Sequence, residues 1–314
     1  MKALTILAMS RDSRDGALRV SIAIFLAMLI IAATTSSEFL TGQNIGNLIS
    51  QTAPLVLASV GQMMVILTGG LDVSNGAVMS LTTTIVAMPY AKPLTLILAL
   101  GAALLVGAIN GIGVTRLGVH PIVMTLSTMS FAQGLALLLR PIPGGDVPAW
   151  LSAGVNGSLA GIPFAVLWIV LPVAAAAWLL YRRPFGLHLF AAGGNADNAR
   201  MNGIKTDRVI VSAYMLSSLF AFFAGLYLAG RLSSGDSKVG VAFNLDSVTA
   251  VALGGVQLSG GVGNLFGTII GALLVSLIGN AMNLSNVSAF IQVAVKGLLL
   301  VVVVSVQRRK EIGL

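Results

Sequence analysis

The chain has 314 residues, of which 56% are hydrophobic and 9% charged, and its mean hydropathy is +0.96. Soluble domains carry about 25% charged residues, so this composition excludes a water-soluble globule and predicts that lipid surrounds much of the protein. The net charge of +8 comes from basic residues in short runs between apolar segments, which indicates membrane orientation rather than nucleic-acid binding, and the absence of cysteine excludes disulfides and thiol chemistry.

The first apolar segment, residues 18–35, follows a basic stretch that holds Lys2, Arg11 and Arg14. A signal peptide could have this pattern, because the small residues at 32–34 would suit a cleavage site. The remainder of the chain is equally apolar, so we favour an uncleaved first membrane span.

Membrane spans are predicted from apolar stretches of about 20 residues, the length that crosses the hydrocarbon core as a helix. Lipid offers backbone amides no hydrogen-bond partner, and the polar–apolar alternation of a barrel is absent from the sequence. The predicted helices are 18–35, 48–68, 73–90, 93–115, 121–140, 162–181, 209–230, 262–283 and 287–306, with a weaker, glycine-interrupted tenth at 242–258.

The distribution of Lys and Arg predicts the orientation. With the N-terminus in the cytoplasm and ten crossings, thirteen basic residues lie inside and four outside, and Lys296 lies within the last span. If segment 242–258 returned to the outside, Arg308, Arg309 and Lys310 would also lie outside, so we predict that it crosses, in a full or broken form. The fold class is therefore all-α integral membrane, with about ten helices, both termini cytoplasmic, and one transmembrane domain over residues 1–314.

Residues 67–76, LTGGLDVSNG, interrupt the helical pattern. Gly69 and Gly70 break the second span, and Asp72 is placed to cap the amides of a helix that begins near residue 73. A proton relay through Asp72 is the alternative, since a carboxylate in a membrane segment is expensive unless it has a structural or functional role.

The longest predicted cytoplasmic connection is 182–208, which contains FAAGGNADNARMNGI. It predicts a short helix with Asn195 as N-cap, Asp197 in the first turn and Gly203 at the stop. Such a helix could dock on a soluble partner, although a basic loop that only sets the topology would also fit.

A glycine-rich segment covers residues 244–271. It has neither the Gly-Lys-Ser/Thr of a phosphate loop nor a dinucleotide fingerprint. We expect sharp turns and close helix packing there, including the spacing Gly267-x-x-x-Gly271, which Gly107-x-x-x-Gly111 repeats. The helix-break or gating candidates are Gly69, Gly70, Asp72, Asp246, Gly254, Gly255, Gly260, Gly261 and Gly263.

Few polar side chains lie inside the predicted spans. Asn110, Gln133 and Gln292 are candidates for a substrate path, although interhelical hydrogen bonds would equally explain each of them. Lys296 either extends to the interface or pairs with a carbonyl at a helix end, and the sequence does not choose between the two.

The chain resembles the ribose-type permeases of ATP-binding-cassette (ABC) importers over about residues 44–309. The resemblance rests on four segments in order: LTGGLDVSNGAVMSL at 67–81, NGIGVTRLGVHPIVMTLSTM at 110–129, FAAGGNADNARMNGI at 190–204 and LDSVTAVALGGVQLSGGVGNLFGTIIGALL at 245–274. The chain departs from the family at Val256-Gln257, where the family often has Thr-Ser, at Val262, where it often has Arg, and at Asn244, where Glu is common.

The resemblance implies a multi-pass bacterial inner-membrane permease that imports a monosaccharide or small polyol and has no catalytic or metal site. Its implied partners are cytosolic ATPase subunits that hold the ATP and magnesium, a periplasmic sugar-binding protein, and a second permease, either a copy or a paralogue. The implied ATPase-coupling residues are Gly193, Gly194, Asn195, Asp197, Arg200, Gly203 and Ile204.

Three other functions are alternatives to this one. A branched-chain amino-acid permease is the nearest alternative within the importers. An ion-coupled secondary transporter would need buried carboxylates away from helix ends, which the sequence does not predict. An intramembrane enzyme would need clustered catalytic groups, whereas His120 and His188 lie in separate loops without acidic neighbours.

Overall fold

The computed structural model describes residues 2–306, with side chains over 18–34 and 36–305. Arg308, Arg309 and Lys310 lie outside the described residues, as do the side chains of Lys2, Arg11 and Arg14. The helices are α1 Lys2–Thr35, α2 Gly42–Leu67, α3 Asn75–Val86, α4 Lys92–Thr115, α5 Pro121–Leu139, α6 Ala149–Asn156, α7 Ala165–Arg182, α8 Pro184–Gly194, α9 Ala196–Met201, α10 Thr206–Leu232, α11 Phe243–Leu253, α12 Leu265–Leu284 and α13 Ala289–Val306. Strands β1 Ser158–Leu159 and β2 Ile162–Pro163 form a small antiparallel hairpin.

Six helices of the described chain are long and apolar enough to cross a membrane: α2, α4, α5, α7, α10 and α12. Residues 18–34 of α1 and 289–305 of α13 are shorter apolar helical segments. The central helix is α2, because 83% of its apolar window is buried, against 17% for each of α5 and α7. The all-α membrane class is therefore confirmed.

Two of the predicted spans contain helices that are much shorter than the predicted segments. The prediction of a full helix over 73–90 is wrong, since α3 has 12 residues, and the weak tenth segment contains α11 with 11 residues. At 1.5 Å per residue these helices measure about 18 Å and about 16 Å, roughly half of a bilayer core of about 30 Å. Pro89 explains the early end of α3, because proline disfavours helical geometry in the residue before it.

Helices approach closely where the sequence places glycine, as the small-residue spacing predicts. A Cβ added at Gly107 or Gly111 of α4 would lie 2.7 Å from the Tyr214 carbonyl oxygen and 2.6 Å from the Val211 Cα, both in α10. At Gly271 of α12, an added Cβ would lie 1.9 Å from the Ala250 carbonyl of α11.

One end of the bundle, here called the α9 end, gathers the ends of several helices around α8 and α9. The amide of Gly261 donates to the carbonyl of Leu67 at the end of α2 (2.9 Å). The amide of Leu265, which begins α12, donates to the hydroxyl of Tyr181 in the last turn of α7 (3.2 Å). The α9 end therefore joins the last turns of α2 and α7 to the start of α12.

The opposite end, the α6 end, is held by contacts between loops. Lys92 forms an ion pair with Asp146 (3.2 Å), and Arg140 donates to the Ala87 carbonyl (3.0 Å). Gly144 and Gly235 exchange backbone hydrogen bonds. These contacts bring the loops after α3, α5 and α10 together.

Helix α1 is packed into the bundle. Ala32 and Phe39 form a buried cluster with Leu277 of α12, and the Ser21 hydroxyl donates to the Leu253 carbonyl at the end of α11 (2.6 Å). These contacts join α1 to both α11 and α12.

Candidate functional site

The chain unwinds between α2 and α3, as the two glycines predict. Gly69 has φ +82°, a left-handed conformation that glycine adopts without steric penalty. Gly70 faces α10 so closely that an added Cβ would lie 2.6 Å from the Tyr214 hydroxyl. Residues 68–74 therefore form a non-helical segment, in which Gly70, Asp72 and Ser74 are buried in the bundle.

Asp72 is fully buried in this segment. Its Oδ1 accepts from the Ser74 amide (2.9 Å) and the Ser74 hydroxyl (2.5 Å), and its Oδ2 accepts from the Ser217 hydroxyl of α10 (2.9 Å). The prediction that Asp72 caps the next helix is wrong in detail. Helix α3 begins at Asn75, and the carboxylate instead forms a turn with the residue two positions on.

The hydrogen bonds of this segment continue into α4 and α5. The amide nitrogen of Asn110 donates to the Ser74 hydroxyl (2.9 Å), and the Thr128 hydroxyl donates to the Asn110 side-chain oxygen (2.6 Å). The Thr125 hydroxyl also donates to the Leu71 carbonyl (3.2 Å). Asn110 is fully buried, and both the nitrogen and the oxygen of its side-chain amide form hydrogen bonds.

Gln133 and Gln292, the other path candidates, are bonded too. Gln133 donates to the Ser237 carbonyl (2.6 Å), and Gln292 donates to the Asn283 oxygen (2.8 Å) and the Val287 carbonyl (3.0 Å). The structure does not bring Asn110, Gln133 and Gln292 to one site, and their role in a path stays a prediction.

The segment that leads into α11 runs antiparallel along α3. The Asp236 carbonyl accepts from the Thr83 hydroxyl (2.8 Å), and the Ser80 hydroxyl accepts from the Gly240 amide (2.9 Å). An added Cβ at Gly76 or Gly240 would lie within 2.1 Å of the other residue's carbonyl oxygen. No pattern in the sequence predicts this glycine pair, because neither residue belongs to a glycine run.

The N-terminal ends of the two half-length helices meet inside the bundle. The side-chain oxygen of Asn244, in the first turn of α11, accepts from the Gly76 amide in the first turn of α3 (2.7 Å). First-turn amides have no partner within their own helix. Asn244 of α11 therefore provides a hydrogen-bond acceptor for an amide of α3 that has none within its own helix.

The central feature of the site is a contact among three glycine pairs, here called the glycine junction: Gly69–Gly70, Gly193–Gly194 and Gly260–Gly261. An added Cβ at Gly193 would lie 1.7 Å from the Leu67 carbonyl oxygen, and one at Gly260 would lie 2.6 Å from the Gly69 nitrogen. One at Gly261 would lie 2.7 Å from the Gly194 Cα. From the sequence, Gly193 and Gly194 are coupling candidates and the other four are helix-break candidates, and the structure brings the two groups into contact.

The remaining glycines of the 244–271 segment surround this junction. Gly254 contacts Gly267 so closely that an added Cβ would lie 2.4 Å from the Gly267 carbonyl oxygen. Gly255 has φ +78°, and an added Cβ at Gly263 would lie 2.8 Å from the Leu67 side chain. The expectation of sharp turns and close packing is confirmed for this part of the described chain.

Helix α9 has the predicted cap. The Asn195 side chain accepts from the Asn198 amide (2.9 Å), Asp197 lies in the first turn, and Gly203 follows the helix with φ +80°. Met201 is 85% exposed. The helix therefore presents an apolar side chain at the α9 end, as a docking segment would.

Arg200 fastens α9 to the start of α10. It donates to the Thr206 hydroxyl (2.7 Å) and the Asp207 carboxylate (2.9 Å), and it lies 3.5 Å from Asp197. The backbone amide of Ile204 donates to the Ala199 carbonyl (3.0 Å). Helix α9 is thus joined to the glycine junction through α8 on one side and to α10 on the other.

Lys296 forms an ion pair with Asp246 (2.6 Å). Neither outcome that the sequence left open, extension to the interface or a carbonyl partner, is observed. Asp246 lies in the first turn of α11, where the helix dipole also favours a carboxylate. Among the described residues, no group of three or more His, Cys, Asp or Glu side chains lies close enough to hold a metal ion.

The chain is similar to a known protein family and to individual transport proteins. A family model described as "Branched-chain amino acid transport system / permease component" matches residues 44–304. The ribose import permease protein RbsC of Bacillus subtilis (strain 168) is 36% identical over 291 residues, which cover 90% of each chain. RbsC of Escherichia coli (strain K12) is 33% identical over 304 residues, covering 93% of this chain and 94% of that protein.

A galactose/methyl galactoside import permease protein, MglC of Salmonella typhimurium, is 29% identical over 325 residues and 95% of each chain. No solved structure matches the chain. The similar proteins are therefore permease subunits, and their names refer to sugars.

Proposed function

Because the chain belongs to the family described as the permease component of branched-chain amino acid transport systems, we propose that it forms the membrane path of an ATP-driven importer for a monosaccharide or related small polyol. The family and the apolar helices make it a multi-pass inner-membrane permease. The sugar names of its relatives favour a sugar over an amino acid as the substrate.

The glycine junction is the observation that carries this function. It places the segment that leads into α9 against the backbone of both helix breaks, the ones before α3 and after α11. A backbone contact without side chains transmits small displacements directly, since no flexible side chain intervenes. A soluble ATPase that moved α8 and α9 would therefore displace both half-helices at once.

The proposed cycle is alternating access. ATP binding closes two cytosolic ATPase subunits, which hold the nucleotide and magnesium, and α9 passes the motion to the half-helices. Their meeting point, Gly76 with Asn244, lies inside the bundle, so its displacement would open or close a path. A periplasmic binding protein would deliver the sugar, and a second permease copy or paralogue would complete the path.

The topology proposed for this cycle has ten crossings and both termini in the cytoplasm. Two of the crossings are broken: residues 68–74 with α3, and residues 233–242 with α11. Discontinuous helices of this kind are typical of substrate sites in transporters. The excess of Lys and Arg in the predicted inside loops, including 182–208, supports the orientation.

Asp72 is the observation that favours the ion-coupled alternative. It is fully buried, and no basic side chain among the described residues pairs with it. Intramembrane carboxylates of this kind often relay protons. Its three hydrogen bonds with Ser74 and Ser217 equally fit a structural anchor for the helix break.

Reconstitution separates the two functions. The purified permease is combined in proteoliposomes with its ATPase and binding protein, and uptake of radiolabelled ribose and galactose is measured. We expect uptake only with ATP and the binding protein together. Uptake driven by a proton or sodium gradient without ATP would reject the importer and support the ion-coupled function.

A further inference from the structure

A cavity of about 220 Å³ lies between α13 and the bundle, beside the ion pair of Lys296 and Asp246. It is called here the charged cavity. Helices α2, α10, α11, α12 and α13 all contribute to its lining. Its charged and amide side chains are Gln51, Arg231, Asp246, Asn283, Gln292 and Lys296.

We propose that the charged cavity binds a neutral polyhydroxylated molecule of monosaccharide size, a subsite of the importer. The proposal rests on the proposed function for its substrate class. Ligand pockets for drug-sized molecules measure about 300–1,000 Å³, so the charged cavity suits a smaller ligand.

The charges of the lining disfavour a cation. Asp246 is paired with Lys296, and Arg231 donates one N–H group to the Ser50 carbonyl (3.3 Å) but keeps its charge, so the three ionised side chains leave one net positive charge. An anion would be attracted by Arg231 and repelled by Asp246, and inorganic phosphate is therefore the competing ligand in the test below.

The hydrogen-bonding groups suit hydroxyls. Every hydroxyl both donates and accepts, and the lining offers a carboxylate acceptor, two cationic donors and three amides that do both. Phe243, Leu228 and Pro54 add apolar surface to the lining, which the C–H groups of a sugar ring could contact. The ion pair is 12% and 24% exposed at its two side chains, so water and a small ligand can reach it.

The absence of cysteine allows a direct binding test. Ser276 lines the charged cavity on α12, and Ser276→Cys introduces a single thiol into it. The rate of modification by a water-soluble methanethiosulfonate is measured on the full permease in proteoliposomes, with and without ribose or galactose. The matched control is Ser285→Cys, in the exposed turn between α12 and α13.

A bound sugar should slow the reaction of Ser276→Cys by a factor of 1 + [sugar]/Kd, about tenfold when the sugar exceeds its Kd about ninefold. Ser285→Cys should react equally fast with and without sugar. Protection by inorganic phosphate and not by sugar would overturn the proposal, and so would equal rates under all conditions in an importer that takes up the sugar.

A second variant tests the use of the cavity in transport. Gly279 lines it, and an added Cβ there meets no atom within 4 Å, so Gly279→Leu introduces an apolar side chain at the cavity without a clash at its Cβ. Gly101→Leu on α4 also enters open space, outside the cavity, and is the control. Both changes replace a helical glycine with a better helix former, so folding should persist.

We expect Gly279→Leu to lose most ATP-driven uptake and Gly101→Leu to retain it. Unchanged uptake in Gly279→Leu would overturn the proposal and leave the importer function intact. If the wild-type importer showed no ATP-driven uptake while sugar still protected Ser276→Cys, the proposed function would fail and the subsite would stand.

Discussion

The pairing of Lys296 with Asp246 determines how α13 attaches to the bundle. The contact is short, 2.6 Å, and both side chains are mostly buried. Removing two charges from water is expensive, and their mutual attraction offsets that expense only while both are present. The stability of the helix therefore depends on the pair as a unit.

Lys296→Met should destabilise the protein by about 1–3 kcal/mol, because it leaves the Asp246 carboxylate without its counter-ion. Fully buried pairs lose about 3–5 kcal/mol on such a change, and the partial exposure of this pair reduces the effect. The double variant Asp246→Asn/Lys296→Met should recover most of the loss. Thermal unfolding in detergent measures both changes, with Lys238→Met in an exposed loop as the control. A double variant as unstable as Lys296→Met would contradict a charge-pair role.

The sequence could identify Lys296 as unusual but could not find its partner. The two residues are 50 positions apart, and they meet only because α11 and α13 pack together. Local sequence patterns correctly predicted contacts between residues that are close in the chain. An example is Asn195, whose side chain caps the helix that begins at the next residue. They failed where the partner belongs to another helix, as with Asn244 and Gly76.

At the scale of elements, the close packing of the glycine junction depends on which of its glycines lies against the backbone of another segment. A Cβ at Gly193 would lie 1.7 Å from the Leu67 oxygen, whereas a Cβ at Gly194 meets nothing within 4 Å. From the sequence alone, both residues are equal candidates for coupling to the ATPase. The structure distinguishes them, because only Gly193 requires the absence of a side chain.

Gly193→Ala should therefore force α8 away from the end of α2, and overpacking of this kind costs about 1–3 kcal/mol. We expect lower sugar uptake and weaker stimulation of the ATPase by the binding protein, both measured in proteoliposomes. Gly194→Ala is the matched control and should behave as wild type. Equal loss in the two variants would argue that the pair acts through chain flexibility rather than through close contact.

The meeting of α3 and α11 makes a second prediction at this scale. Asn244→Leu removes the acceptor of the Gly76 amide, and a buried amide left unbonded costs about 1–3 kcal/mol. Asn244→Asp keeps an oxygen in place and adds a charge that the N-terminus of α3 favours, so it should be milder. Thermal unfolding in detergent ranks the variants. An Asn244→Asp variant less stable than Asn244→Leu would exclude the amide contact as the main role of this residue.

Half-length helices are difficult to predict from hydropathy alone. Residues 73–90 mix apolar side chains with small polar ones such as Ser80 and Thr82, and such a mixture occurs both in helices buried within a protein and in membrane spans. The helix nevertheless ends at Val86, and its Thr82 and Thr84 hydroxyls donate to carbonyls one turn earlier. The breaks themselves were predictable, since Gly69, Gly70 and the 254–263 glycines are visible in the sequence.

At the scale of the molecule, the path of the chain between α10 and α12 decides the topology. The start of α12 lies beside the end of α7, through the contact of Leu265 with Tyr181, and Gly261 bonds to Leu67 at the end of α2. The end of α10 lies at the opposite, α6 end, where Asn156 donates to the Gly230 carbonyl (3.0 Å). Residues 233–264 therefore connect the two ends of the bundle.

This connection predicts that Asn198 on α9 and Ser285 after α12 face opposite sides of the membrane. Three crossings separate them: α10, the broken segment with α11, and α12. If the broken segment returned to the side it entered from, only an even number of crossings would remain and both residues would face the same side. Single cysteines at the two positions report this directly, because the native chain has none and gives no background.

In intact cells, a membrane-impermeant thiol reagent should modify Ser285→Cys at once and Asn198→Cys only after the membrane is permeabilised. Both positions are exposed, so access depends on the side of the membrane and not on burial. Modification of both variants in intact cells would place α9 outside, where no ATPase could reach it. Protection of both until permeabilisation would mean that the α11 segment returns to the side it entered from, and the broken crossing would have to be abandoned.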